Sequence, residues 1–293
     1  MPSLRRRRAL AVLPALLLVA YGLVAAQAPS ESGDYTPKLG QIGKDVIWVP
    51  TPEALVERML QMANVGPEDY VIDLGSGDGR TVIAAAEKFG ARALGIEYDR
   101  NLVEFSIRQA ELAGVSDKVS FVEADIFETD FSEATVLTMY LLPSLNLKLR
   151  SKILDMAPGT RVVSHSFDMA DWRPDRSATV EDRTAYLWIV PAKLAGDWRL
   201  TLPTEGSERT WTLNLERKFQ ILSGQVHLPD GWFDVLDGLI RGTEFRFHVI
   251  DASGNRREFS GRALGDRMEG TIRNSDGTSV AFSAERAESP QTF

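Results

Sequence analysis

From Tyr70 onwards, short apolar runs alternate with segments whose apolar residues recur at helical spacing. Tyr70–Leu74, Ala91–Glu97, Val119–Glu123, Ala134–Leu141, Arg161–His165 and Ala185–Val190 read as strands, and helices fall near 79–89, 100–113 and 143–156. An earlier helix starts at Thr51-Pro52-Glu53, read as N-cap, N1 proline and first-turn acid, with Leu55, Met59, Leu60, Met62 and Ala63 as its apolar face. Apolar strands alternating with helices predict an α/β fold, a mainly parallel sheet with helices on both faces.

After Pro191 the period changes to two. Trp198–Leu202, Trp211–Leu215, Phe219–Leu228, Phe245–Ile250, Phe259–Arg262, Arg267–Ile272 and Val280–Ala284 alternate apolar with polar residues and are separated by Asp-Gly, Ser-Gly and Gly-Asn turns. This predicts a small antiparallel β-barrel or sandwich whose aromatics form its core. No catalytic constellation stands out within it.

The amino terminus follows neither pattern. Arg5 to Arg8 precede an apolar run from Ala9 to Ala26 that ends in small residues, the layout of a secretory signal or, if uncleaved, a membrane anchor. The expected organisation is therefore a signal peptide or anchor over 1–28, a polar linker over 29–47, an α/β domain over 48–192 and an all-β domain over 193–293. The expected location is exported (periplasmic) or anchored in the inner membrane, with membrane association through the N-terminal segment.

Composition narrows the chemistry. At 293 residues the chain suits two domains, and its formal charge of −8 fits nucleic acid poorly, since that ligand demands a basic footprint. With no cysteine there are no disulfides, thiolate nucleophiles or cysteine-ligated zinc. His165, His227 and His248 are too scattered to suggest a metal site, and none is expected.

The most informative segment is Asp73-Leu74-Gly75-Ser76-Gly77-Asp78-Gly79-Arg80, a sharp turn from strand to helix at the end of the sheet where α/β folds bind ligands. Gly75 and Gly77 permit positive φ and close ligand approach, and Gly79 permits close helix–strand packing. The G-x-G-x-G spacing departs from the dinucleotide pattern and favours S-adenosyl-L-methionine (SAM), which has no pyrophosphate. Asp73 would accept from the methionine amino group, while N–H groups of the turn, including that of Ser76, meet its carboxylate. Glu97 ends the second strand 24 residues after Asp73 and is placed to take both ribose hydroxyls, or is a solvated strand end. Asp125 is placed to accept from the adenine amine with Ile126 against the ring, or it caps a turn. Arg80, a cation at a helix N-terminus, needs a partner.

Methyl transfer relies on alignment, removal of a proton and stabilisation of changing charge. Its groups must come from the ends of the fourth and fifth strands. Tyr140 would orient an amine by its hydroxyl or by cation–π contact, or is a buried strand tyrosine. The segment around it lacks the Asn/Asp-Pro-Pro-aromatic quartet with which methyltransferases grip the amines of nucleic acid bases. His165 and Asp168 are the candidates to receive a proton or steer an ammonium group. The bland alternatives are a satisfied buried histidine and a turn.

Together, Trp48-Val49-Pro50-Thr51-Pro52, Asp73–Arg80, Gly95-Ile96-Glu97, Tyr140-Leu141-Leu142-Pro143 with Asn146–Arg150, and Gly159–His165 resemble a class I SAM-dependent methyltransferase. More narrowly they are similar to the family of mitochondrial protein-lysine methyltransferases acting on the c-ring protein of ATP synthase and the adenine nucleotide carrier, with its bacterial relatives. The resemblance covers about residues 46–192. It implies a Rossmann-like class I methyltransferase sheet, SAM as cofactor, and a protein lysine as acceptor. It also implies that Glu97 binds ribose, that Gly75, Gly77 and Gly79 shape the cofactor turn, and that Trp48–Thr51 helps close the site. The N-terminal segment and the β domain lie outside that family core, so the family's substrates do not transfer. Two rival readings stay open: a small-molecule or lipid-amine methyltransferase, and a non-catalytic SAM-binding scaffold. Export favours the scaffold, because SAM is made in the cytoplasm; the intact glycine turn and Glu97 argue for the enzyme.

Overall fold

The computed structural model describes residues 35–203 and 209–287. The basic and apolar segment expected as signal or anchor lies outside them, and no helix among the described residues is long and apolar enough to cross a membrane. The first part of the chain runs α1 (Glu53–Met62), β1 (Tyr70–Leu74), α2 (Arg80–Phe89), β2 (Arg92–Glu97), α3 (Arg100–Leu112), β3 (Val119–Glu123), β4 (Val136–Met139), α4 (Pro143–Leu154), β5 (Arg161–His165), β6 (Arg176–Val180) and β7 (Arg183–Ile189). These strands form one seven-stranded sheet in the order β3-β2-β1-β4-β5-β7-β6. Strands β1 to β5 are parallel, and β7 runs antiparallel to both β5 and β6.

Alternation along each strand sorts side chains between two cores. Val71, Val136 and Val163 face α1, α2 and α3, whereas Ile72, Leu137 and Val162 pack with Leu149 and Ile153 of α4. Strand order reverses between β1 and β4, which opens a crevice beyond their carboxyl ends. Strand β6 was not expected from the sequence. Its hairpin turn is Glu181-Asp182, with φ 46° and 64°. Turns with two positive φ values normally advertise themselves by Asn or Gly, and this one does not.

The second part comprises β8 (Gly196–Leu202), β9 (Arg209–Lys218), β10 (Ile221–Leu228), β11 (Gly231–Asp234), β12 (Leu236–Arg241), β13 (Glu244–Ile250), β14 (Arg256–Leu264), β15 (Arg267–Asn274) and β16 (Ser279–Arg286). Antiparallel pairing runs β10-β12-β13-β14-β15-β16-β8-β9, and β9 pairs back with β10, so eight strands close a barrel and β11 hangs on β10. Closure decides between the two expected architectures in favour of the barrel and pairs each of its eight strands on both sides. Inward positions carry Trp198, Leu213, Phe247, Phe259 and Phe282, all buried. Strands β11 and β12 escaped the sequence reading because Asp237-Gly238 resembles a turn; it is an irregularity inside β12, with Asp237 at φ 48°.

Candidate active site

The glycine turn joins β1 to α2. Gly75, Gly77 and Gly79 all adopt positive φ, at 75°, 57° and 80°. A Cβ on Gly77 would sit 2.6 Å from Trp48 Nε1, and one on Gly79 would sit 2.8 Å from Phe121 and Ser106, so both conformation and space require glycine there. The amides of Gly75 and Ser76 donate to Ile96 O at 2.9 and 3.1 Å, which pins the turn to β2. Ser76 is buried, and its hydroxyl has no hydrogen-bond partner among the described residues. Arg80 finds the partner it needs in Asp78, a two-pronged ion pair with an Nη2–Oδ2 distance of 2.6 Å, and its other arm donates to Thr51 O at 2.9 Å.

A cavity of about 630 Å³ opens over this turn, and Asp73, Gly75, Gly77, Glu97, Asp125 and Ile126 all line it. Ser76 lines it too, whereas Gly79 does not and instead packs against Phe121 and Ser106, so the structure brings together all but one of the residues expected to hold a cofactor. Asp73 is buried and accepts from Thr138 Oγ1 at 2.6 Å. Burial pushes its carboxyl up to about 6, against the opposing pull of the Thr138 and Thr81 hydroxyls. Glu97 is oriented by the backbone: its Oε2 accepts from Gly77 N at 2.9 Å and its Oε1 from Tyr98 N and Asp99 N at 2.8 and 3.0 Å. Asp125 is ion-paired with Lys44 and accepts from Phe127 N at 2.8 Å; the Lys44 contact holds its carboxyl below the usual range.

Lys44 belongs to the segment expected as linker, and here the structure corrects that reading. Residues 40–48 fold back on themselves: Gly40 N donates to Trp48 O, Trp48 N to Gln41 O, and Gly43 N to Val46 O. The turned segment lines the cavity with Gln41, Lys44, Val46 and Trp48. Its polar, glycine-bearing composition hid this role, because its contacts are to cavity and backbone rather than to an apolar core.

At the acceptor end, the three expected catalytic residues separate. Tyr140 lines the cavity with Phe167, Leu142 and Leu145. Its ring lies 3.8 Å from that of His165, centroid to centroid, and 6.2 Å from that of Phe167. His165 is fully buried and does not line the cavity. Burial, with a smaller push from the Arg183 charge, pulls its imidazole down to about 4, so it is neutral at pH 7 and a poor proton acceptor. Asp168 is exposed, lies outside the cavity and accepts from Ala170 N at 3.0 Å, so it sets a turn. Thr51, expected both as the helix N-cap and, from the family resemblance, within the segment that helps close the site, takes only the second place. Pro52 occupies the cap position without a side-chain bond, while Thr51 lines the cavity and its Oγ1 lies 3.0 Å from His165 Nδ1.

These residues fit SAM. A buried carboxylate raised to about 6 suits an ammonium group, glycines keep Cβ atoms out of the turn, and the orphan Ser76 hydroxyl is a free polar group beside it. Asp73 and the turn would hold the methionine end, Glu97 the ribose, and Asp125 with Ile126 the adenine.

Comparison with known proteins agrees with this geometry. Residues 73–176 match the ANTKMT methyltransferase domain. A protein-lysine N-methyltransferase of Saccharolobus islandicus is 43% identical over 151 residues, covering 50% of this chain and 94% of that protein. The adenine nucleotide translocase lysine N-methyltransferase of Mus musculus is 33% identical over 45% of this chain and 57% of its own length, so the chain spans little more than half of that relative. The crystal structure of an RNA methyltransferase from Salinibacter ruber in complex with S-adenosyl-L-homocysteine shares 52% identity over 50% of this chain and 96% of that one, with a TM-score of 0.49. The glycine turn, the buried Asp73 and a relative matched over nearly its whole length place this chain in the family of SAM-dependent protein-lysine methyltransferases that carry the ANTKMT methyltransferase domain.

Proposed function

We propose that this methyltransferase transfers the methyl group of SAM to the ε-amine of a lysine in a protein. The observation that carries the reading is the make-up of the acceptor end: Tyr140, Phe167, Leu142, Leu145 and the Thr51 hydroxyl carry no formal charge, and Arg80, the lining cation bonded to Thr51 O, is neutralised by its ion pair with Asp78. Lysine attacks only as the neutral amine, and its unperturbed pKa is near 10.4. An apolar channel disfavours the ammonium form and so frees the lone pair. When bound, SAM supplies an electrophilic methyl on a positively charged sulfonium, whose field acts in the same direction.

The chain's own residues align the amine. The neutral His165 imidazole shares a hydrogen bond with Thr51, which fixes the direction of the Thr51 hydroxyl on the cavity wall. The Tyr140 and Phe167 rings, 6.2 Å apart between centroids, form an aromatic stretch of the cavity wall that would meet the aliphatic stem of the lysine. Of the cavity acids, Asp78 and Asp125 are ion-paired, Glu97 accepts from backbone amides and Asp45 is exposed, so Asp73 is the buried acid beneath the glycine turn that faces a cofactor ammonium. Protein-lysine methylation in the relatives supports the same acceptor.

Tritiated SAM added to the purified protein with extracts from cells lacking it tests the acceptor. Label in protein, located at lysine by mass spectrometry, is the expected result; label confined to lipid, small amines or RNA would overturn it. The basic and apolar segment over 1–28 further supports residence at or across the inner membrane. A reporter fused to the carboxyl terminus reads the side on which the enzyme sits.

A further inference from the structure

The cavity wall contributed by Phe167 depends on an irregular loop, residues 166–175, that runs where a crossover helix would otherwise join β5 to its successor. Ser166 and Ala170 in this loop hold φ 62° and 55°. Left-handed backbone at residues other than glycine is strained and persists where surrounding structure over-determines it. The over-determination is visible in the loop's carbonyls. Asn146 Nδ2 of α4 donates to Phe167 O and Asp168 O at 3.2 and 3.3 Å, and Arg150 Nη1 to Met169 O at 3.0 Å. Trp188 Nε1 of β7 donates to Trp172 O at 2.8 Å. The remaining clamp comes from the barrel, where Gln220 Nε2 donates to Arg173 O at 2.7 Å.

That clamp belongs to the tight turn joining β9 to β10. Phe219 in this turn is itself at φ 55°, and its ring stacks on that of fully buried Trp172, 5.9 Å between centroids and 12° from parallel. Gln220 is a buried polar side chain whose amide reaches out of the barrel into the loop. Lys218 and Arg150 meet on opposite oxygens of Asp171, at 3.3 and 2.6 Å. Three successive residues of one barrel turn thus each engage the same loop, by charge, ring stacking and hydrogen bond.

We infer that the C-terminal barrel is a buttress for the acceptor wall: the Lys218–Gln220 turn locks the strained 166–175 loop and thereby fixes Phe167 beside Tyr140. Phe219 and Gln220 are positioning residues, since neither lines the cavity. What Phe167 does for the acceptor rests on the lysine reading above; the lock itself does not. Position matters because a misplacement of about 1 Å in an aligned reaction costs on the order of a hundredfold in rate.

Hydrogen–deuterium exchange on the full chain tests the lock without any acceptor. In Phe219→Ala and in Gln220→Ala, exchange over 166–173 is expected to rise about tenfold while the glycine turn stays protected. Affinity for SAM by calorimetry is expected to hold within twofold, with kcat/KM for the labelled acceptor falling chiefly through kcat. Phe219→Tyr keeps the stacked ring and should restore both readouts. Phe219→Gly relieves the positive φ, so opening of the loop there reports the missing ring alone. Unchanged exchange over 166–173, or an equal rise throughout β1 and β2, overturns the inference. Failure of the wild-type enzyme to label protein would instead overturn the lysine acceptor and leave the exchange result to decide the buttress.

Discussion

The two sheets use their side chains in opposite ways. The barrel turns Trp198, Leu213, Phe247 and Phe259 inward from strand after strand until its interior is filled by apolar groups. The parallel sheet packs both its faces too, yet at the carboxyl ends of β1 and β4 it stops packing and leaves a cavity of about 630 Å³ floored by glycine and a buried acid. A small closed barrel with apolar inward side chains fills its own interior, whereas a parallel sheet whose strand order reverses opens a crevice by construction. Chemistry therefore collects on one sheet, and the other contributes through what it touches.

The sharpest way to break this contrast is to damage each half and ask whether the other notices. Phe259→Ala empties the barrel core, where Phe259 stacks on Phe247 at 4.6 Å, and should cost about 3–5 kcal/mol of stability in urea unfolding. Affinity for SAM, measured by calorimetry on the folded variant, is expected to stay within a factor of two. A large loss of affinity there would mean that the barrel shapes the cofactor site directly. Gly77→Val is the converse. Its side chain would have to enter space held by Trp48 at φ 57°, so binding of SAM should fall by at least about a hundredfold, close to 3 kcal/mol, with the barrel's amide protection intact.

How much of this was legible in the sequence follows from the same contrast. Asp73–Arg80 was readable because a turn that needs three positive φ values leaves three glycines in one octet. The parallel strands were readable because burial on both faces makes them continuously apolar. The Thr51–His165 bond and the role of Lys44 were not, since a threonine before a proline reads as a cap and a lysine in a polar run reads as solvated, until the fold brings their partners His165 and Asp125 from 114 and 81 residues away. His165 and Asp168 were grouped with Tyr140 because all three sit at strand ends. Strand-end position does not say which way a side chain points: His165 turns under the Tyr140 ring, and Asp168 bends back to its own loop. The barrel's engagement with the 166–175 loop left no sequence signal, for Phe219 and Gln220 look like any strand edge.

A smaller effect probes the buried acid itself. Asp73→Asn preserves shape but removes the charge offered to the cofactor ammonium, and should weaken SAM binding about tenfold to a hundredfold, as for a charge-assisted hydrogen bond of 1.5–3 kcal/mol. In the wild type the same loss should appear on acidification, because the carboxyl protonates below about pH 6. Affinity that stays flat from pH 8 to pH 5 would remove Asp73 from the cofactor site.

The smallest expected effect is a cancellation. Asp73 titrates near 6 when folded and near 3.8 when unfolded, so between those values the folded state holds the extra proton and stability from this group falls as pH rises. His165 titrates near 4 when folded and near 6.5 when unfolded, so across almost the same window the unfolded state holds the extra proton and stability rises with pH. The two slopes oppose each other, and the cofactor-free wild type should unfold at nearly constant urea concentration between pH 4.5 and pH 6 as far as these two groups are concerned. Asp73→Asn removes one of them. Its stability should then drop on acidification through that window with a slope approaching about 1.4 kcal/mol per pH unit, the value for one proton. Mutations inside the barrel such as Phe259→Ala should lower stability evenly and leave the slope untouched, because His227 and His248, the barrel's histidines, are not parts of this pair. A slope unchanged by Asp73→Asn would mean that the acid is not the strained group beneath the glycine turn, and the functional contrast between the two sheets would lose its electrostatic half.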